Sequence, residues 1–147
     1  MEFNELIADF AKRHDVEGLV VVDGAAALDI DGIIVTIVAK GDMLNLSAEI
    51  GEPPAEGTAV FAHLLLEANT QSGLVFAKIP NPGPYVVVQR LPLATVDGDA
   101  FDAALEAFVN TVETWRRLLA DFRPAAKEAA ESAGASPSFG STGFIQV

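Results

Sequence analysis

The sequence predicts an α+β fold in which helices pack on one twisted antiparallel sheet, in the order α-β-β-β-α-β-β-α. Two observations support this prediction. Apolar residues recur at helical spacing in three segments, whereas the segments between them are β-branched or alternate between apolar and polar residues. Asp-Gly and Pro-Gly turn signals separate several of these strand-like segments. Strands that are joined by such short turns pair antiparallel.

The first half of the chain is predicted to be a helix followed by a three-stranded meander. Residues 2–14 form an amphipathic helix, because their apolar side chains share one face and most of the charged ones lie opposite. The three strands are expected over residues 25–30, 33–38 and 43–50. Since nearly every residue of the middle strand is apolar and β-branched, we expect it to be central and covered on both faces.

The second half is predicted to be a helix, a hairpin and a long helix. The helix over residues 58–69 is apolar around more than half of its circumference, so we expect it to pack on the sheet and on something else. A hairpin over residues 74–91 turns at Asn81-Pro82-Gly83-Pro84. The last helix is expected over residues 101–122, with Asp97 or Asp99 as its N-cap.

Length and composition predict one domain followed by a tail. The chain has 147 residues, which is an ordinary size for a single domain with its own hydrophobic core. We assign residues 1–123 to this domain. Residues 124–147 are rich in Ala, Ser and Gly and are predicted to be a tail.

The charge of the chain excludes several kinds of partner. A formal charge of −12 repels nucleic-acid phosphates and anionic lipid, so we expect no nucleic acid as a partner.

No apolar stretch approaches the roughly 20 residues that a membrane-spanning helix needs, so no membrane insertion is expected. The amino terminus lacks the basic start of a secretory signal. We therefore expect a cytoplasmic protein.

The residues that catalysis and metal binding need are scarce. The chain has no cysteine, and its two histidines, His14 and His63, lie on different predicted helices without a metal-binding motif. Motifs for a serine nucleophile, for ATP phosphates and for dinucleotides are also missing from the sequence. We therefore predict a protein that binds another polypeptide, with no catalytic residues, no metal and no cofactor.

Short motifs in both halves resemble a known family. They are Leu64-Leu65-Leu66-Glu67-Ala68-Asn69 at the end of the second helix, Leu91-Pro92-Leu93 after the last strand, and Phe108-Val109 with Trp115-Arg116 in the last helix. Phe3-Asn4-Glu5-Leu6-Ile7 and the Asp31-Gly32 turn also fit. In their order and spacing they resemble the class I type III secretion chaperones, also called the Tir-chaperone family. The resemblance covers most of residues 1–122.

The resemblance implies an ATP-independent chaperone that binds the amino-terminal segment of a secreted effector as a homodimer. In such proteins the second helix and the fourth strand usually form the dimer interface, and the first helix and the sheet offer apolar grooves to the effector. The expected dimer-interface residues are Val60, Phe61, Leu64, Leu65, Val75 and Ala77. The expected partner-binding residues are Phe3, Ile7, Phe10, Val35, Ile37, Leu44 and Leu46.

Other interpretations remain open at this stage. Both sets of residues could instead fill the core of a monomer, because apolar helices and strands are often merely buried. A dimeric α+β regulatory or assembly module that binds a folded protein would have a similar pattern. A small-ligand-binding domain or an enzyme with a pocket between the sheet and the last helix is a third interpretation.

Overall fold

The computed structural model describes residues 2–16, 19, 21–71, 73–80 and 82–124. Except for Pro124, the predicted tail lies outside these residues. The helices are α1 (Phe3–Arg13), α2 (Thr58–Gln71) and α3 (Gly98–Ala120), and a 3-10 turn spans Leu93–Thr95. The strands are β1 (Val21–Val22), β2 (Ala25–Ile30), β3 (Ile33–Lys40), β4 (Met43–Gly51), β5 (Val75–Lys78) and β6 (Tyr85–Pro92).

The six strands form one antiparallel sheet in the order β1-β2-β3-β4-β6-β5. This confirms the predicted α+β class and element order, with the two-residue β1 as an addition. The β2–β3 hairpin turns at Asp31 and Gly32, which both have positive φ, at 52° and 87°. Only Gly, Asn and Asp adopt this conformation readily, so the dipeptide determines the hairpin register.

The helices cover one face of the sheet and leave the other open. Along β3, Ile33, Val35 and Ile37 are buried, whereas the alternate residues Ile34 and Thr36 are exposed. The prediction that this strand is covered on both faces is therefore wrong. Its β-branched residues favour an extended backbone whichever face is covered, so composition did not reveal the open side.

Helix α2 packs against the end of the sheet that β5 and β6 form. The Phe61 ring lies among three aromatic rings, with centroids 5.7 Å from Tyr85, 6.1 Å from Trp115 and 5.2 Å from Phe122. Since Phe61 is also almost completely buried, it joins α2 to β6 and α3 in one aromatic cluster.

Helix α3 runs along the covered face of the sheet. The side chain of Asp97 accepts a hydrogen bond from the Ala100 backbone N–H at 2.8 Å, which confirms Asp97 as the N-cap. The helix ends at Ala120, so its 23 residues extend about 35 Å. None of the helices in the described ranges has the length and apolar character needed to cross a membrane.

Candidate protein-binding surfaces

Exposed apolar side chains concentrate on α2 and β5. Of the eight large hydrophobic residues that are exposed in the described part of the chain, four fall between residues 64 and 79. They are Leu64, Leu66, Val75 and Ile79, with relative exposures of 42, 60, 47 and 46%. With the exposed Ala77 they make up what we call the α2–β5 surface. Exposed apolar side chains on two elements in contact, as α2 and β5 are, are candidates for a protein interaction site.

The outer edge of β5 is partly closed by α2. The Asn69 side-chain oxygen accepts a hydrogen bond from the Phe76 backbone N–H at 2.6 Å, and its amide nitrogen donates to the Phe76 carbonyl at 3.2 Å. An adjacent groove of about 290 Å³ contains Leu66 and Ala77 among its lining residues. The backbone groups of Phe76 are therefore already paired and cannot serve an added strand, whereas the exposed side chains of this surface remain accessible.

The predicted dimer-interface residues divide between surface and core. Leu64, Val75 and Ala77 are exposed, and Val60 is half-buried. Phe61 and Leu65 are buried inside the chain, where helical periodicity directs them toward the sheet. Leu66 and Ile79, which are not in the predicted set, are exposed as well, and Leu66 lies on the helix whose apolar excess pointed to this region.

A second apolar surface lies between α1 and the β1 edge of the sheet. Its groove of about 390 Å³, the α1–β1 groove, is lined by Asn4, Ile7, Ala8, Ala11, Val16, Leu19 and Val21. Among the described residues β1 pairs only with β2, so its outer edge is unpaired. The side chains of Val21 and Val22 are exposed beside it. The groove therefore combines an apolar floor with a strand edge that no described strand pairs.

All seven predicted partner-binding residues are buried in the hydrophobic core. Phe3, Ile7 and Phe10 lie on the inner face of α1, and Val35, Ile37, Leu44 and Leu46 lie on the covered face of β3 and β4. Of these residues, only Ile7 lines the α1–β1 groove. Ala8 and Ala11 lie at the border of the apolar face of α1. They are not in the predicted set, because small alanine side chains add little to the hydrophobic periodicity of a helix.

The C-terminal end of α1 is held to α3 by a charged cluster. Arg13 donates hydrogen bonds to Asp9, to both carboxylate oxygens of Asp102 and to the Gly98 carbonyl. His14 Nε2 lies 3.0 Å from the same Asp102 carboxylate. The hydrogen bonds from Arg13 lower the pKa of Asp102, the contact with His14 acts in the same direction, and partial burial opposes both.

We expect Asp102→Asn to destabilise the protein by up to about 1 kcal/mol near neutral pH, as for a partly exposed ion pair. The pKa of Asp102 is lower in the folded state than in the unfolded state. The ionised carboxylate therefore contributes fully to the free energy of unfolding above the unfolded-state pKa of about 3.9, and this contribution is lost as the pH falls through the folded-state pKa. Urea unfolding at decreasing pH should show that the difference in unfolding free energy between Asp102→Asn and the wild type becomes smaller. Asp42→Asn, in an exposed turn, serves as the control. If the difference in unfolding free energy is the same at acid pH, the loss does not come from the ionised Asp102 carboxylate.

The described residues contain no group of three or more His, Asp or Glu side chains that could hold a metal ion. The open sheet face has a shallow cavity of about 500 Å³ whose lining includes Thr36, Ser47, Glu49 and Arg116. There Arg116 Nε donates to the Glu49 carbonyl at 3.0 Å, beside the irregularity between Glu49 and Gly51 in β4. This bond satisfies a backbone acceptor next to the bulge, which is a structural role.

Solved structures show the same fold. A chain of the ExsC–ExsE complex is 24% identical, with a TM-score of 0.69, and the match covers 79% of this chain and 92% of that one. The Yersinia pestis type III secretion chaperone SycH, in complex with a stable fragment of YscM2, is 17% identical, with a TM-score of 0.63 and coverage of 78% and 99%. YbjN from E. coli, whose description names no secretion system, is 16% identical, with a TM-score of 0.54 and coverage of 79% and 87%.

The fold is therefore shared by secretion chaperones and by YbjN, so the fold alone does not identify the family. The comparison of the sequence with family models is more specific. No match is found among curated proteins. Residues 5–116, however, match the family described as the Tir chaperone protein (CesT) family. This match spans most of α1 to the second half of α3 and includes the α2–β5 surface and every lining residue of the α1–β1 groove except Asn4. The chain belongs to the Tir chaperone protein (CesT) family.

Proposed function

We propose that this protein is a non-catalytic, ATP-independent chaperone of type III secretion. As a homodimer in the bacterial cytoplasm, it binds the amino-terminal segment of a secreted effector and keeps that segment soluble and competent for export. The observation that carries the proposal is the α1–β1 groove beside an unpaired sheet edge, in a member of this chaperone family.

The effector segment lies in the α1–β1 groove in an extended form. In an antiparallel sheet, successive residues direct their backbone groups alternately toward the two neighbouring strands, so one residue of β1 offers its N–H and C=O to an added strand. Ala8, which is exposed, and Ala11, which is half-buried, receive apolar side chains of the effector. The seven predicted partner-binding residues act from beneath, as part of the hydrophobic core under this surface.

The two subunits meet through the α2–β5 surface. Leu64, Val75 and Ala77 from the predicted set contribute to it, together with Leu66 and Ile79. Burial of these side chains against a second copy would remove a large part of the exposed apolar area of the chain from water. The two surfaces lie at opposite edges of the sheet, so a dimer would keep both α1–β1 grooves free.

The negative charge suits this role. A formal charge of −12 keeps a protein with exposed apolar surfaces soluble, and it disfavours acidic segments as partners. We therefore expect effector segments that are apolar and not strongly acidic.

A co-expression experiment tests the function. Partners are captured from the native cell, the bound region is mapped by limited proteolysis, and that region is then expressed with and without the chaperone. We expect the bound region to be an amino-terminal segment that is insoluble without the chaperone and soluble with it. A bound region that is a folded domain, or that is equally soluble without the chaperone, would contradict the proposal.

A substitution in the groove connects this result to the site. Ala8→Asp places a carboxylate in the α1–β1 groove and should abolish solubilisation, because the charge would be desolvated beside the apolar effector. Ala103→Asp makes the same change on an exposed position of α3 and should leave solubilisation intact. Equal effects of the two variants would show that the groove is not the binding site.

The second candidate is a dimeric regulatory or assembly module that binds a folded protein, and it is kept because YbjN, whose description names a regulator of transcription, has the same fold. In that case the captured region would be a folded domain. A small-ligand-binding domain would instead show ligand-dependent thermal stabilisation, with the cavity on the open sheet face as its site.

A further inference from the structure

A third groove lies where the end of α1, the β2–β3 turn and α3 meet. Its volume is about 360 Å³, at the lower end of the range for ligand pockets, which suits one or two side chains. It differs from the other grooves because an apolar floor is bordered by carboxylates. Its lining residues are Phe10, His14, Ile30, Asp31, Asp102, Leu105, Glu106, Val109 and Asn110. We call it the acidic-rimmed groove.

The floor of this groove is rigid and apolar. Phe10, Leu105 and Val109 are almost fully buried, and Ile30 is half-buried. The Phe10 ring packs edge-on against Phe101, with centroids 5.4 Å apart, so the core holds it in place. An apolar side chain that enters the groove therefore meets a preformed surface.

The rim carries two carboxylates that form no ion pair with the described residues. Asp31 and Glu106 are exposed, and neither forms an ion pair with any of the described residues. The carboxylate of Asp102 is different, because Arg13 and His14 already occupy its oxygens. The charge of Arg13 is in turn balanced by Asp9 and Asp102. Two carboxylates are thus left to attract a cation from outside.

This charge excludes several occupants. A second copy placed symmetrically on this groove would bring Asp31 and Glu106 close to the same carboxylates of its partner, and nucleic acid or anionic lipid would be repelled by the charge of −12. A polypeptide with an apolar side chain next to a lysine or arginine has the complementary chemistry.

We propose that the acidic-rimmed groove is a specificity site for basic, apolar segments of the effector. An apolar side chain of the effector enters the groove, and an adjacent lysine or arginine pairs with Asp31 and Glu106. The inference rests on the proposed chaperone function and adds a charge requirement at a location separate from the α1–β1 groove.

Two peptides of 12 residues test the inference with the full chain. Both have a Leu-Phe centre, one flanked by lysines and the other by glutamines, and binding is followed by fluorescence anisotropy. We expect the lysine peptide to bind about threefold to tenfold more tightly, as two partly exposed ion pairs would allow. The preference should decrease at high salt. Replacement of the Leu-Phe centre by serines should abolish binding.

Matched variants locate the effect. Asp31→Asn with Glu106→Gln should abolish the preference for lysine. Asp23→Asn with Glu67→Gln removes the same charge from another Asp-Gly turn and another exposed helix position, and should retain the preference. Asparagine tolerates the positive φ of both turn positions, at 52° for Asp31 and 50° for Asp23.

Equal binding of the lysine and glutamine peptides, binding of neither, or equal losses in the two double variants would overturn the inference. The co-expression experiment is independent of these peptides. If the chaperone solubilises its effector while the two peptides bind equally, the proposed function stands and the acidic-rimmed groove has no role in specificity.

Discussion

Phe61→Ala is expected to lower the free energy of unfolding by about 3 to 5 kcal/mol, the usual cost of removing a buried phenylalanine ring. Phe61 is only 1% exposed, and its ring contacts Tyr85, Trp115 and Phe122. The substitution would leave a cavity at the point where α2, β6 and α3 meet, and these elements cannot all close around it. Because domains are stable by only about 5 to 15 kcal/mol, a large part of the total would be lost.

Urea unfolding followed by circular dichroism measures this loss, with a constant slope against denaturant indicating that only stability has changed. Leu66→Ala on the same helix is the control. Leu66 is 60% exposed, so its truncation should change the unfolding free energy of a monomer by about 0.5 kcal/mol or less. A loss below about 1 kcal/mol for Phe61→Ala would contradict the core position of this ring. Because Leu66 belongs to the α2–β5 surface, both variants should be compared at the same low protein concentration.

Leu64→Glu is expected to convert the proposed dimer into a folded monomer. Leu64 is 42% exposed in the single chain, so the carboxylate would be solvated in the monomer but desolvated against a second α2–β5 surface. Substitution of a residue at the centre of an interface typically costs about 2 kcal/mol of association free energy or more. A loss of about 2 kcal/mol raises the dimer dissociation constant about thirtyfold. Light scattering across a range of protein concentrations gives the mass, and circular dichroism verifies that the variant is folded.

Leu118→Glu is the matched control for this experiment. Leu118 is 49% exposed but lies on α3, outside the α2–β5 surface, so the variant should remain dimeric. If the wild-type protein is a folded monomer at all concentrations tested, the dimer proposal fails. If Leu118→Glu dissociates the dimer as strongly as Leu64→Glu, the interface lies elsewhere.

Together these variants separate two roles that sequence periodicity had combined on one helix. Phe61 and Leu64 are three residues apart on α2, and both were predicted at the interface because the helix is apolar around most of its circumference. In the structure Phe61 faces the aromatic cluster and Leu64 faces outward. The separation depends on where the sheet lies relative to the helix, which local spacing does not specify.

Local signals in the sequence predicted most of the fold. The helix positions, the long strands, the Asp31-Gly32 turn and the Asp97 cap all depend on residues close together in the chain, where side-chain period and backbone preference decide the conformation. Strand β1 was missed because a two-residue strand has no period to recognise. Its pairing with β2 depends on the rest of the sheet.

The sequence by itself determined the α+β class, the element order and the excess of apolar residues on the second helix. Only the tertiary structure decided which apolar side chains face water. It buried Val35 and Leu44, opened the other face of β3, partly closed the edge of β5 through Asn69 and left the outer edge of β1 without a partner among the described strands. The physical reason is that exposure is set by contacts between elements distant in the chain, whereas hydrophobicity and period are properties of each element alone.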